Sequence, residues 1–227
     1  MRRPAWAAVA LTMAVVGPAC GDDDGGGSDA VADLVASLDE SGAGFADLVA
    51  QVADDGLSPG DARTVATALP DHLDEVVEST QGDGPITWPD TVALFEALAD
   101  DPTAAATTVE AVATWIVARA EPLVGADPTG SEVEQALLPA ADVVAAARDG
   151  FEEADGDVSE TELETGITQA ARTELSALVA AAAGEPPPEP GRQAELLSDA
   201  FESGDPIELV DSNATRAAEA LDADDPW

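Results

Sequence analysis

From residue 28 to residue 183 one local pattern recurs: a capping residue or a Pro-led start, apolar residues at i, i+3, i+4 and i+7, then a Gly or Pro. That spacing puts the apolar side chains on one face of a 3.6-residue helix. No segment shows sustained period-2 alternation of strand formers. The chain therefore predicts an all-α fold, an irregular multi-helix bundle of about seven helices plus a short helical tail. Aromatics are only 4% of residues and Tyr is absent. A core of Ala, Leu and Val suits close-packed helices better than stacked sheets.

The start and stop signals divide the chain. Ser28 caps a helix over about 29–39 with Val31, Leu34, Val35 and Leu38 inward, ended by Gly42 and Gly44. Phe45, Leu48, Val49 and Val52 carry a second helix, stopped at Gly56. Ser58-Pro59-Gly60-Asp61 combines a cap, a first-position Pro and a first-turn acid. Val65 and Leu69 follow, Pro70 breaks or kinks the helix, and Leu73, Val76 and Val77 continue it. Pro89 opens a helix with Val92, Phe95, Leu98 and Ala99 inward. Asp101-Pro102 starts another that runs to about Ala120, with Val109, Val112, Trp115 and Ile116, stopped by Pro122. Ser131 and Glu134 form a capping box ahead of Leu137, Leu138, Val143, Val144 and Ala147, with a bend at Pro139. Ser159 and Glu162 form a second box, before a helix to about Ala183 with Leu163, Ile167, Ala171, Leu175 and Leu178.

The helical domain thus spans 29–183. Residues 184–191, GEPPPEPG, form a stiff linker to a helical tail at 192–227. In that tail Leu196, Leu197, Ala200 and Phe201 mark one helix, and Pro206 to Leu221 one or two more. A tail of this size is too small for much core of its own, and the pattern leaves open whether it packs back.

Charge limits the partners. The chain has 47 acidic residues against 8 basic ones, all Arg. Arg2 and Arg3 lie in the first nineteen residues, so six Arg remain beyond them and the balance there is about 41 negative charges with His72 neutral. Such a surface repels nucleic acid and anionic headgroups, and attracts cations or a basic protein partner. A composition bias toward Ala, Asp, Glu and Arg across a whole proteome produces the same balance.

Residues 1–19 read as a signal peptide. Arg2 and Arg3 form the basic region, and Ala5 to Val16 an apolar stretch too short to span a bilayer. Gly17, Pro18 and Ala19 precede Cys20, the only cysteine, and a disulfide within the chain is therefore impossible. This stretch resembles the lipobox of bacterial lipoproteins, with Ala19 in the fitting position and Gly17 departing from the usual Leu. The resemblance implies cleavage before Cys20, lipidation of its thiol, and attachment to the membrane through a diacylglyceryl-cysteine. The acyl (palmitate-type) chains would hold the protein at the outer face of the cytoplasmic membrane. Two chains anchor stably, where one does so marginally. Residues 20–28 then form a lipidated Cys and a flexible acidic, Gly-rich tether. An ordinary secretory signal cut near Ala19, giving a secreted protein, is the alternative.

The sharpest motif beyond the leader is Phe151 to Glu162, FEEADGDVSETE. Its second half fits an EF-hand calcium loop. Asp155 and Gly156 stand at positions 5 and 6, Asp157 at 7, Val158 at 8, Ser159 at 9 and Glu162 at 12. Phe151 replaces the first ligand and Glu153 the Asp of position 3, so the candidate calcium ligands are Glu153, Asp155, Asp157, Ser159 and Glu162. A polar loop in which Ser159 and Glu162 only cap the next helix accounts for the same residues.

His72 is the only histidine, three residues from Glu75 on one predicted helix face, with Asp71 and Asp74 nearby. It suits a weak metal site, a lone general base or, most simply, an exposed helix residue. Trp115 reads as core and Trp88 as a staple before Pro89, whereas Trp227 is terminal. No P-loop, no dinucleotide-binding GxGxxG and no GxSxG elbow is present. The six later Arg residues fall about one per helix, a spread that suits pairing with carboxylates better than one phosphate cradle.

The segments LSPGDARTVATALPDHLDEVV and FEALADDPTAAATTVEAVATWIVARAE, about residues 57–121, are similar to an uncharacterised helical domain of exported proteins of high-GC Gram-positive bacteria. That resemblance implies an all-α fold and an envelope setting, with no chemistry attached. The expected role is non-catalytic binding or scaffolding at the cell envelope, with weak calcium binding at 151–162 as the alternative and a carboxylate and His72 hydrolase as a third.

Overall fold

The computed structural model describes residues 31–36, 44–80, 86–154 and 156–221. The signal peptide, Cys20, the tether, Ser28, Gly42, Asp155 and Trp227 lie outside the described residues. Among the described residues the fold is all-α, a multi-helix bundle without strands. Its helices are α1 (31–36), α2 (Phe45–Asp55), α3 (Pro59–Thr80), α4 (Trp88–Ala99), α5 (Pro102–Ala120), α6 (Gly130–Glu153), α7 (Glu160–Ala183), α8 (Gln193–Ala200) and α9 (Pro206–Leu221). Seven of them precede the Pro-rich segment and two follow it.

The caps fix where the helices begin. Thr87 accepts from the Asp90 amide while the Asp90 carboxylate accepts from the Thr87 amide, so two orphan donors are satisfied reciprocally. Ser159 and Glu162 do the same for α7. Asp101 caps α5 by accepting from the amides of Thr103 and Ala104. Gly184 ends α7 at φ 75°, the left-handed conformation that glycine adopts without a Cβ penalty. At α6 the box forms two residues earlier than Ser131–Glu134 suggests. Thr129 is the cap and Glu132 its partner. Two overlapping S/T-x-x-E patterns compete there, and the earlier start brings Val133 into the core.

α6 is the central element, packed against α3, α4, α5, α7 and α9. Ala140, Ala141 and the run from Val143 to Ala147 are all buried, as expected for a helix enclosed on most sides. Around it α3 packs on α5, α5 on α7, and α2 on α4. α6 meets α4 closely at Gly150, where a Cβ would fall 2.6 Å from the Val92 carbonyl oxygen.

Pro70 and Pro139 lie inside α3 and α6, and neither ends its helix. Each lacks the amide that would bond four residues back, but buried Leu69 and Leu73, and Leu137 and Ala140, hold the turns on both sides. Leu138 is not a core residue. It is 47% exposed, because the inward stripe passes through Leu137 and Ala141 instead.

The tail packs back. α8 lies on α7, and α9 on α6 and α7. Leu197, Phe201, Ile207, Val210 and Ala214 join the same core as the main body. Among the described residues no helix is long and apolar enough to cross a membrane.

Candidate functional site

Six Arg residues serve a chain with dozens of carboxylates, and the fold places most of them at joints between helices. Arg63 of α3 clamps Asp101 at the start of α5, with Nε 2.9 Å from Oδ1 and Nη2 2.6 Å from Oδ2. The Arg63 hydrogen bond pulls the Asp101 carboxyl below its ordinary pKa, against its burial, and the Ala104 amide adds to the effect. Arg172 of α7 holds buried Asp205, which in turn caps α9 by accepting from the Ile207 amide at 3.0 Å. Both joints use the same device: an Asp-Pro helix start whose second carboxylate oxygen receives an Arg from another helix.

Arg119 of α5 pairs with Asp74 of α3, donates to the Ala136 carbonyl of α6 at 3.1 Å, and lies 4.8 Å over the Trp115 ring. The Trp115 indole donates to the same Asp74 at 3.2 Å. Trp115 is buried, as its place on the apolar stripe predicts.

The densest charged cluster joins α6, α7 and α9. Arg148 of α6 donates through Nε and Nη2 to Glu160 Oε1, at 3.3 and 3.1 Å. Its Nη1 lies 3.2 Å from Glu164 Oε1 and 3.1 Å from Thr215 Oγ1 of α9. The Glu164 carboxyl also faces the carboxyl of Asp211 on α9. Asp211 Oδ1 is buried, and no donor among the described residues reaches it. The hydrogen bond shared with Asp211, and then burial, push Glu164 from its ordinary 4.5 up to about 7, while Arg148 opposes the rise. Nothing in the sequence pattern marks Glu164 or Asp211. Their meeting depends on how α9 returns over α7.

A second acidic group sits where α4 meets the end of α6. Burial, then neighbouring Glu153 and Asp100, raise the pKa of Glu96. Burial, then Glu152, raise that of Asp149, and the Trp88 indole partly offsets this. Trp88 is half-buried and packs on the core beside the helix it opens.

His72 departs from the exposed position expected of it. It is 8% exposed and stacks on Phe45 of α2, ring centroids 4.4 Å apart and planes within 3°. Its Nδ1 stands 3.6 Å from Glu75. The apolar stripe of α3 at Leu69, Leu73 and Val76 carries His72 inward with it.

The predicted calcium loop divides in the fold. Phe151 is a buried core residue, and α6 continues through Glu153, so the chain is still helical at the first three loop positions. Glu162 is engaged by the cap, accepting from the Ser159 amide at 3.0 Å and hydroxyl at 2.7 Å. Those bonds, the backbone one first, hold the Glu162 carboxyl below its ordinary pKa. Gly156 lets the loop approach α4, where a Cβ would clash with the Ala99 carbonyl oxygen. Asp157 follows in the loop, and Asp155 lies outside the described residues. Among the described residues no three His, Cys, Asp or Glu side chains gather to hold a metal ion.

Comparison of the chain with protein-family models, with curated proteins and with solved structures finds no match.

Proposed function

We propose that the chain is an exported, lipid-anchored scaffold of the cell envelope, held through Cys20 at the outer face of the cytoplasmic membrane, with an acidic helical surface that binds a basic partner. The observation that carries the binding role is the use of the arginines as internal joints. Arg63, Arg119, Arg148 and Arg172 each bind a carboxylate on another helix, so the outward faces keep the negative charge. A surface of one sign steers oppositely charged partners and rejects nucleic acid. The non-catalytic reading is supported by His72, whose ring face is covered by Phe45 in the core. The anchor is supported by the sequence alone: a basic region, a short apolar stretch and the only thiol directly after it.

The intact mass of membrane-extracted protein tests the anchor. The expected species begins at Cys20 and carries two or three acyl chains, and Cys20→Ala leaves an uncut or released chain. Full-length protein in the cytosol with an unmodified thiol would overturn it. The scaffold role is tested by crosslinking in intact cells followed by capture of the chain. A basic envelope protein released by high salt is expected; turnover of a small substrate without any such partner would reverse the reading.

A further inference from the structure

The joint of α6, α7 and α9 holds more carboxylate than its cation can neutralise. Among the described residues Arg148 is the only cation bound there, and the donors it places go to Glu160, Glu164 and Thr215. Asp211 gets none of them, and its Oδ1 is enclosed without a donor. A buried carboxylate oxygen in that position is costly unless something donates to it. The facing group is the carboxyl of Glu164, itself a donor only when one proton remains on the pair.

We propose that Glu164 and Asp211 form a proton-dependent latch that fastens the C-terminal arm, through α9, to the main bundle. The charged groups acting on Glu164 are Asp211 from α9, Arg148 from α6 and Glu160 from its own helix. With one proton shared, the two carboxyls bond across the α7/α9 joint, and Arg148 faces two negative charges from three acids. When that proton leaves, a third negative charge appears in the joint and the bond becomes a repulsion between like charges. α9 is also fastened by the Arg172–Asp205 joint at its start, by the buried Ile207, Val210 and Ala214, and by the Arg148–Thr215 bond beyond Asp211. Loss of the latch therefore loosens the second half of α9, left with Ala214 and the Thr215 bond, more than the first half, which keeps the Arg172–Asp205 joint. The surface that opens is the part of α6 and α7 beneath the second half of α9. This inference does not depend on the lipid anchor.

Amide hydrogen exchange on the full chain tests it, from about pH 5.5 to about pH 8.5, with α9 read relative to α5 in the same molecule so that the intrinsic pH effect cancels. In the wild type the relative protection of α9 is expected to fall at least tenfold across that range. Glu164→Gln replaces the shared proton with a permanent N–H donor, leaves an oxygen for Arg148, and should keep α9 protected throughout. Asp211→Asn should do the same from the other side and decides the matter if Glu164→Gln does not fold. Constant α9 protection in the wild type, or an equal fall in both amide variants, would overturn the latch. Failure of both variants to fold would overturn it too, because the amides supply the same contact.

Discussion

Replacing Gly150 with Ala adds a single methyl group at the contact between α6 and α4. The new Cβ would stand 2.6 Å from the Val92 carbonyl oxygen, 2.7 Å from the Glu96 nitrogen and 2.7 Å from the Phe95 Cβ. Two of the three obstacles are backbone atoms and the third is fixed to backbone, so no rotamer change relieves them. Ordinary contact then requires the helices to separate by about 0.8 Å, a gap that forfeits a quarter to a half of each lost dispersion contact. Overpacking of this kind costs about 3 kcal/mol, at the upper end of the usual range. Ala is the better helix former by about 1 kcal/mol, which offsets part of the loss. The net destabilisation is about 2 kcal/mol, or a fall in Tm of about 4–8 °C for a chain of this length. Circular dichroism melts measure it directly. Gly60→Ala is the control, because Gly60 is also helical but meets only the Ser58 hydroxyl at 3.9 Å. It should gain about 0.5 kcal/mol. A Gly150→Ala protein that melts at or above the wild type would show that α4 and α6 do not approach as described.

Four further outcomes follow from the joints. Asp101→Ala removes a helix cap and the Arg63 clamp together and should cost about 2 kcal/mol in urea unfolding; because the Asp101 pKa is lowered, that contribution is present above about pH 4 and is lost as the pH falls below it. Glu164 has the opposite sign: its raised pKa means that stability is full below 4.5 and declines as pH rises to about 7. The full shift corresponds to about 3.4 kcal/mol and solvent access reduces it to about 1–2 kcal/mol, so urea midpoints should fall over that window in the wild type and stay flat in Glu164→Gln. His72→Ala removes the stack on Phe45 and should lower stability by about 1–2 kcal/mol, with an unchanged melt counting against the α2/α3 contact. Glu162→Ala should lower the Tm equally with and without calcium, since its carboxylate serves the cap, and a calcium-dependent stabilisation that this variant abolishes would restore the metal reading.

Local chemistry made the elements readable, and tertiary return made the joints unreadable. Asp101-Pro102 and Ser159-x-x-Glu162 each announce a helix start within four residues, and both starts stand where the pattern puts them. The stripe Phe45, Leu48, Val49, Val52 is buried at every position. The pattern is ambiguous where two local answers compete. Thr129-x-x-Glu132 and Ser131-x-x-Glu134 both fit the pattern, and the chain uses the first, with Val133 buried in the turn that follows. Leu137 and Leu138 are both apolar, but at this turn of α6 only Leu137 is covered by the rest of the fold. His72 lies on the inward stripe of α3 with Leu69 and Val76, but its stack on Phe45 depends on α2 arriving, which the periodicity of α3 does not encode. The Arg148, Glu160, Glu164 and Asp211 cluster is of the same kind. Arg148 and Asp211 lie on helices separated by all of α7, the Pro-rich segment and α8, and adjacency among so many carboxylates carries no signal.

The absence of Lys has a physical counterpart in these joints, whatever set the composition. A helix start favours an acid, because the first amides are unpaired and the dipole is positive there. Once Asp101 and Asp205 are buried at such starts, each has a second oxygen to satisfy and a charge to balance. Arg63 meets Asp101 with two parallel bonds from one planar group, a geometry that a lysine ammonium does not offer. Arg148 goes further and reaches two acids on α7 and a hydroxyl on α9 from one guanidinium. A chain with so few cations gains most if each one joins several acceptors on different helices, and the five donors of a planar guanidinium suit that better than the three of an ammonium. The same economy leaves the joint at Asp211 one donor short, and there a proton must complete it.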